Sequence, residues 1–383
     1  MTGVQTCALP IYTLMKKLKI CLVSLGLFPD QRDGSAFVAR GIYDELKRRG
    51  HDVTCLTAQW GEGFEDPNII ALKVVQSRFF WMPQFLFKFR KFLKTHEFDI
   101  IHGNGSRGSL PIIFSGKPYI SHIHDLGPFE TNFSKLPFIK WLELKNAKKA
   151  SKIITVSEII RQGIHKVMHA PLERIQCVYN AIDSRYKPMP EQARELKQKL
   201  GIKGPILYYV GRLAFYKGIE NIIEAFYKVK QHIPDINLLI GGKPEIKLVD
   251  TVEKWKKDHP EVQFLGPIAD EEMPVYYSMA DAFVTYSFAA EGFGLTPVEA
   301  LACGTPIICS TMPAYQEILK EHAIFVEPKR SDLLAEKIIE FFKNPDLRQQ
   351  IMKNIGEFLQ RYTWKAFGDQ IEAIYSDFLE TRA

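Results

Sequence analysis

From Lys19 onward the chain alternates short, almost wholly apolar runs with longer amphipathic stretches, and this rhythm constrains the fold more than any single residue does. Runs such as Lys-Ile-Cys-Leu-Val-Ser (19–24) and Ile-Leu-Tyr-Tyr-Val (206–210) lack an in-out alternation, which marks strands covered on both faces. Strand, helix, strand in repetition builds parallel sheets with helices on either side, a doubly wound α/β architecture. At 383 residues the chain exceeds one average domain and has material for two sizeable cores. The division is expected between Asp183 and Gly204. There Asn180-Ala181-Ile182-Asp183 leaves a strand, and the Pro- and charge-rich Lys187-Pro188-Met189-Pro190-Glu191 precedes the next one. Residues 15–185 and 186–363 are thus read as two domains, with a closing helix from Trp364 to Thr381 inside 364–383.

Residues 1–14 stand apart. Thr2 to Ile11 resembles the translation of a sequencing-adapter oligonucleotide, so the native start is expected at Met15. No segment offers ~18 uninterrupted apolar residues, which predicts a cytoplasmic or peripheral protein. Outside Cys7, five cysteines are scattered without a Cys-x-x-Cys pair, as reduced structural thiols would be, and no zinc motif appears. Charge is uneven: residues 15–185 hold 26 Lys and Arg against 16 Asp and Glu, and residues 186–383 hold 24 against 28. A basic first domain favours an anionic partner. Arg78 to Lys94 interleaves cations with aromatics as membrane-surface helices do, although such a helix could equally pack on the first sheet. The basic residues match no RNA or DNA motif, so nucleic acid is not expected as a partner.

Chemistry concentrates in Ser287 to Ile308. Glu291 and Glu299 flank a turn holding Gly292 and Gly294, whose backbone freedom exceeds that of other residues. The Ala-rich run that follows reads as a buried helix, and the unpaired N–H groups at such a start attract phosphate. Ionised carboxylates only accept hydrogen bonds and sugars supply donors, so a pyrophosphate there would bring ribose to one acid and hexose to the other. For Glu299 a second reading stays open: Thr296 as N-cap, Pro297 at the first helical position and Glu299 closing a capping box. Ile206 to Phe226 runs from an apolar strand through a loop with Arg212 and Lys217 into an amphipathic helix at Gly218. This is a phosphate-binding layout, in which the two cations suit a diphosphate gaining charge as a bond breaks. In the first half, Lys19 to Thr57 reads as strand, Gly34-containing loop, helix, strand, and Tyr119 to Glu130 places His124-Asp125 just beyond a strand.

These segments resemble the retaining family 4 glycosyltransferases. The Glu291/Glu299 segment is similar to that family's Glu-x7-Glu signature, Gly211-Arg212-Leu213 through Lys217-Gly218 to its donor-phosphate loop, and His124-Asp125 to its His-Asp motif. The opening unit departs from the pattern, with one glycine at Asp33-Gly34-Ser35 where many relatives have two, and Ala181 stands where Gly is usual. The resemblance implies a GT-B fold: two Rossmann-like parallel-sheet domains facing a cleft, with the closing helix crossing back to the first. It implies transfer of a hexose-type sugar from a nucleotide-diphosphate sugar to a glycan or lipid-linked acceptor, by front-face attack and without a cofactor. His124, Glu291, Arg212 and Lys217 would be the catalytic group; Gly34, Arg212, Lys217, Ile268, Glu291, Phe293, Gly294, Leu295 and Glu299 would hold the donor. Because the chain contains no Asp-x-Asp triplet, metal is expected to be unnecessary. The alternatives are a nucleotide-sugar epimerase or hydrolase of the same fold, or a catalytically silent nucleotide-sugar-binding subunit. The latter should have lost some of Glu291, Arg212 and Lys217.

Overall fold

Two parallel sheets organise the computed structural model, which describes residues 16–59, 61, 63–75, 81–127, 129, 137–289 and 291–382. The first comprises β1 (Lys19–Ser24), β2 (Asp52–Ala58), β3 (Ile69–Leu72), β4 (Ile100–Asn104), β5 (Ile120–Ile123), β6 (Lys152–Thr155) and β7 (Ile175–Cys177) in the order 3-2-1-4-5-6-7. The second comprises β8 (Ile206–Val210), β9 (Asn237–Gly241), β10 (Val262–Gly266), β11 (Ala282–Thr285), β12 (Ile307–Ser310) and β13 (Ala323–Val326) in the order 10-9-8-11-12-13. Ile20 to Val23 and Ile206 to Tyr209 are buried because helices cover both faces of each sheet, which is why these strands read as continuous apolar runs. The strand order of each parallel sheet reverses once, between β1 and β4 and between β8 and β11. Open α/β sheets offer a crevice at such a switch, outside the carboxyl ends of the strands.

Gly34 is the first residue of the Gly34–Arg48 helix, and Asp33 caps that helix by accepting from Ala36 N at 3.0 Å. Gly34, expected in the loop, belongs to the helix because the Asp33 cap starts it one residue earlier. The closing helix, Trp364–Glu380, lays Phe367, Ile371, Ile374, Tyr375 and Phe378 into the same buried cluster as Val38, Ile42 and Leu46. Gly41 makes this possible, since a Cβ there would stand 1.8 Å from the Trp364 ring. Arg49 seals the contact with hydrogen bonds to Glu45, Asp369 and Glu372, and Tyr375 donates or accepts across to His102 at 2.7 Å. Between the sheets the chain crosses twice, after β7 and before the closing helix, and the crossings are tied by Ile182 N donating to Tyr362 O at 2.9 Å.

The membrane-like stretch Arg78 to Lys94 begins outside the described residues. From Trp81 to Leu93 it is a helix whose Phe85 and Phe89 enter the first core, leaving Phe87, Arg90, Lys91 and Lys94 exposed. The adapter-like residues 1–14 also lie outside the described part. Among the described residues no helix is long and apolar enough to cross a membrane, and Cys21, Cys55, Cys177, Cys303 and Cys309 are free thiols.

Candidate active site

Arg212 and Lys217 follow β8 and Glu291 follows β11, so the switch of the second sheet gathers residues from two separate motifs. Lys217 Nζ and Glu291 Oε1 form an ion pair, and Ser287 Oγ donates to the same oxygen at 2.6 Å. Behind Ser287 stands Tyr315, whose hydroxyl bonds Ser287 Oγ at 3.2 Å and Thr285 Oγ1 at 3.1 Å. This buried chain fixes the carboxylate. Arg212 and Lys217 flank one ring, their charges 5.9 and 5.3 Å from the Tyr216 centroid. Arg212 also donates to the Tyr216 hydroxyl at 2.5 Å and lies 3.5 Å from Glu245. Its side chain is 60% exposed against 18% for Lys217. A 3-10 turn, Phe215–Lys217, separates the loop from the Ile219–Lys230 helix. Gly218 between them has φ +67°, and a Cβ there would meet Tyr286 O at 2.4 Å.

The helix beyond Glu291 runs Leu295–Ala302 with Gly294 at its N-cap, φ +86°. This overturns the capping box. Thr296 and Pro297 lie inside the first turn, two residues too late for cap and first position, because the left-handed Gly294 begins the helix earlier. Glu299 Oε2 instead accepts from the Tyr277 hydroxyl at 3.0 Å. Burial, only partly offset by hydrogen bonds from Tyr277 and Tyr186, pushes its carboxyl up to about 7. Gly292 also departs from expectation: its φ is not positive, and the constraint is space. A Cβ would stand 1.9 Å from His124 O on the first domain. Phe293 is a core residue, 4% exposed, packed edge-on to Tyr362 at 5.7 Å, so only its backbone can serve a ligand.

Residues of the first domain approach the same place. Ser157 Oγ donates to Gly292 O at 2.7 Å, and Glu317 accepts from Glu158 N and Ile159 N at 2.6 and 2.9 Å, occupying the start of the Glu158–Met168 helix. A Cβ on Gly34 would meet Leu295 Cδ1 at 3.6 Å. His124 follows β5, stacks on His122 at 4.4 Å, and has Nε2 3.0 Å from Asn104 Oδ1. Burial depresses its pKa to about 4 despite the raising influence of Asp125 and Asp33, so the ring is neutral near pH 7. Ile268 follows β10 beside Gly241, on the far side of β8 from Glu291.

Known proteins share this layout along most of the chain. Residues 32–186 match the family described as Glycosyltransferase Family 4, and residues 192–358 match Glycosyl transferases group 1. The chain belongs to glycosyltransferase family 4. This glycosyltransferase is 24% identical to an uncharacterized glycosyltransferase of Methanocaldococcus jannaschii, over 95% of this chain and 99% of the relative. It is 26% identical to the alpha-monoglucosyldiacylglycerol synthase of Streptococcus pneumoniae, over 92% of this chain and 85% of that one. Anabaena HepE in complex with UDP-glucose has the same fold, with a TM-score of 0.79, 21% identity, and coverage of 94% and 100%. The two-sheet architecture of the glycosyltransferase is therefore GT-B.

Several participants were not singled out from sequence: Ser287, Tyr315, Asn104, Tyr277 and Glu317. Asn104 had a usable signal, a polar residue ending the apolar β4 at the sheet switch. Ser287 lies four residues before Glu291 in the same segment, whereas Tyr315, Tyr277 and Glu317 become visible only when distant segments meet. Gly292→Ala tests that meeting directly. The added methyl collides with backbone rather than a flexible side chain, so sugar transfer should drop at least ~10-fold from displacement of the neighbouring Glu291. Parental turnover in a correctly folded variant would show that the His124–Gly292 approach is dispensable.

Proposed function

We propose that this enzyme moves a hexose-type sugar from a nucleotide-diphosphate sugar to a glycan or lipid-linked acceptor, with retention and without a metal ion. Its setting in this reading is cell-surface polysaccharide or glycolipid synthesis on the cytoplasmic side. The observation that carries the reading is the Lys217–Glu291 pair, seated at the switch of the second sheet beside the Leu295 helix start. Lys217, Arg212 and the N–H groups of that start would take the diphosphate oxygens, on which negative charge grows as the C–O bond breaks. Glu291 would accept hydrogen bonds from the hexose hydroxyls and Glu299 from ribose. The acceptor hydroxyl, held by the first domain, attacks from the face the phosphate leaves, and its proton passes to a departing phosphate oxygen.

Support for a nucleotide-sugar donor comes from the UDP-glucose complex of HepE, and support for a lipid acceptor from the glycolipid synthase of Streptococcus pneumoniae. The metal-free step rests on Lys217, Arg212 and the Leu295 helix start, which would offer the diphosphate the positive charge that a cation otherwise brings. The exposed Phe87, Arg90 and Lys91 of the Trp81–Leu93 helix fit peripheral contact with an anionic membrane.

A thermal-shift screen of UDP-, GDP- and ADP-sugars tests the reading, since a ligand of the folded state raises Tm by mass action. One nucleotide class should stabilise, and its sugar should reach an acceptor as the retained anomer in the presence of EDTA. A loss in EDTA that added metal restores would overturn the metal-free step. Conversion of the donor without any acceptor would favour the epimerase or hydrolase reading.

A further inference from the structure

Four elements of the first domain end at one point of its switch: β1 at Ser24, β4 at Asn104, β5 just before His124, and the Gly34–Arg48 helix at its start. Asn104 lies 3% exposed among them. Its amide Nδ2 donates to Ser35 O at 3.1 Å and to Ser24 Oγ at 3.3 Å. A backbone carbonyl can only accept, so the amide nitrogen must face Ser35. The hydroxyl of Ser24 spends its proton on Gly26 O at 2.6 Å, which leaves a lone pair toward Asn104. Either partner alone forbids the flipped amide. Oδ1 is thereby directed at His124 Nε2, 3.0 Å away, and an amide oxygen can only accept. The proton of the neutral His124 ring must then sit on Nε2, leaving the lone pair on Nδ1, which has no hydrogen-bond partner among the described residues.

We propose that Asn104 is a positioning residue that locks His124 in the Nε2–H tautomer, so that its Nδ1 accepts a hydrogen bond from a hydroxyl of the transferred sugar. The inference builds on the proposed donor reading and narrows it. A neutral ring whose free nitrogen is an acceptor has nothing to donate to a phosphate oxygen, so His124 serves the sugar and not the diphosphate. The charges of Asp33 and Asp125 reach the ring and His122 stacks on it, but their carboxylates accept from Ser35, Ala36 and Gly127, and the acceptor at Nε2 is Asn104.

Long-range 1H–15N spectra of the histidine-labelled full chain read the tautomer without any ligand, with His124→Gln identifying the resonances. One Nε2–H tautomer is expected in the parent. In Asn104→Leu, which keeps size and removes the acceptor, the two tautomers should mix and kcat/KM with the nucleotide sugar from the thermal screen should fall roughly tenfold. Asn104→Asp keeps an acceptor and should keep Nε2 protonated. Nδ1 protonation in the parent, or an unmixed Nε2–H spectrum in Asn104→Leu, overturns the inference whatever happens to turnover. A His124→Gln enzyme with parental turnover would instead remove His124 from the reaction, and the claim that a sugar hydroxyl meets Nδ1 would fall with it.

Discussion

Lys217→Ala lowers sugar transfer by at least ~100-fold, the scale of losing one preorganised donor to a developing oxyanion. Two losses combine in this variant. The diphosphate forfeits a cation, and Glu291, whose side chain is only 8% exposed, is left with Ser287 as its hydrogen-bond partner among the described residues. A sheltered carboxylate stripped of its counter-ion is costly, and its side chain would lose the position from which it meets hexose hydroxyls. The single variants Lys217→Ala and Glu291→Gln should therefore be strongly non-additive, the double variant losing far less than the product of the two. Arg212→Ala is expected to cost a similar factor in turnover with little effect on Tm, because its side chain is largely exposed. Steady-state kinetics on these variants decides the matter. Unchanged turnover in Lys217→Ala or Arg212→Ala would sink the diphosphate assignment.

Glu299→Ala weakens donor binding by roughly 1.5–3 kcal/mol, the range for hydrogen bonds to a charged group, and leaves the start of the helix intact. Thr296→Ala, by contrast, should be nearly silent, since Gly294 rather than Thr296 caps the helix. The carboxylate adds a pH signature. Its pKa in the folded enzyme is raised from the ordinary value of 4.5 to about 7, so ionisation costs the unliganded fold. That cost is fully present above about 7 and is relieved as pH falls toward 4.5. Ribose hydroxyls favour the ionised form, so donor affinity should climb as pH rises through about 7 in the parent and lose that step in Glu299→Gln. Calorimetric titration between pH 5.5 and 8.5 measures it. A parent and Glu299→Gln with parallel pH profiles would mean that Glu299 does not meet the donor.

The fold was legible because its signal is local. Continuous apolar runs such as Ile206 to Val210, alternating with amphipathic segments, can bury themselves only in parallel sheets flanked by helices, and the doubly wound order follows from short right-handed crossovers. That Glu291, Arg212 and Lys217 gather was legible for a related reason: each sits in a strand-to-helix loop, and such loops meet at the switch of a parallel sheet. What the linear chain could not carry was any property set by approach between distant segments. Gly292 owes its identity to the His124 carbonyl and not to its own φ, and the helix is capped at Gly294 rather than Thr296 because Gly294 adopts a left-handed turn against Tyr315. Glu299 was read as a cap or a ligand from neighbours in sequence, whereas Tyr277 and Tyr186 enclose it and set its charge. The tautomer of His124 depends on the direction of an amide at Asn104, held by Ser24 and Ser35 from two other elements. Sequence by itself determined which backbone elements form and which loops bear the charged groups, since periodicity and residue chemistry are local; protonation, tautomer and spacing were decided only by tertiary structure, because each depends on desolvation and on partners that the chain brings together only by folding.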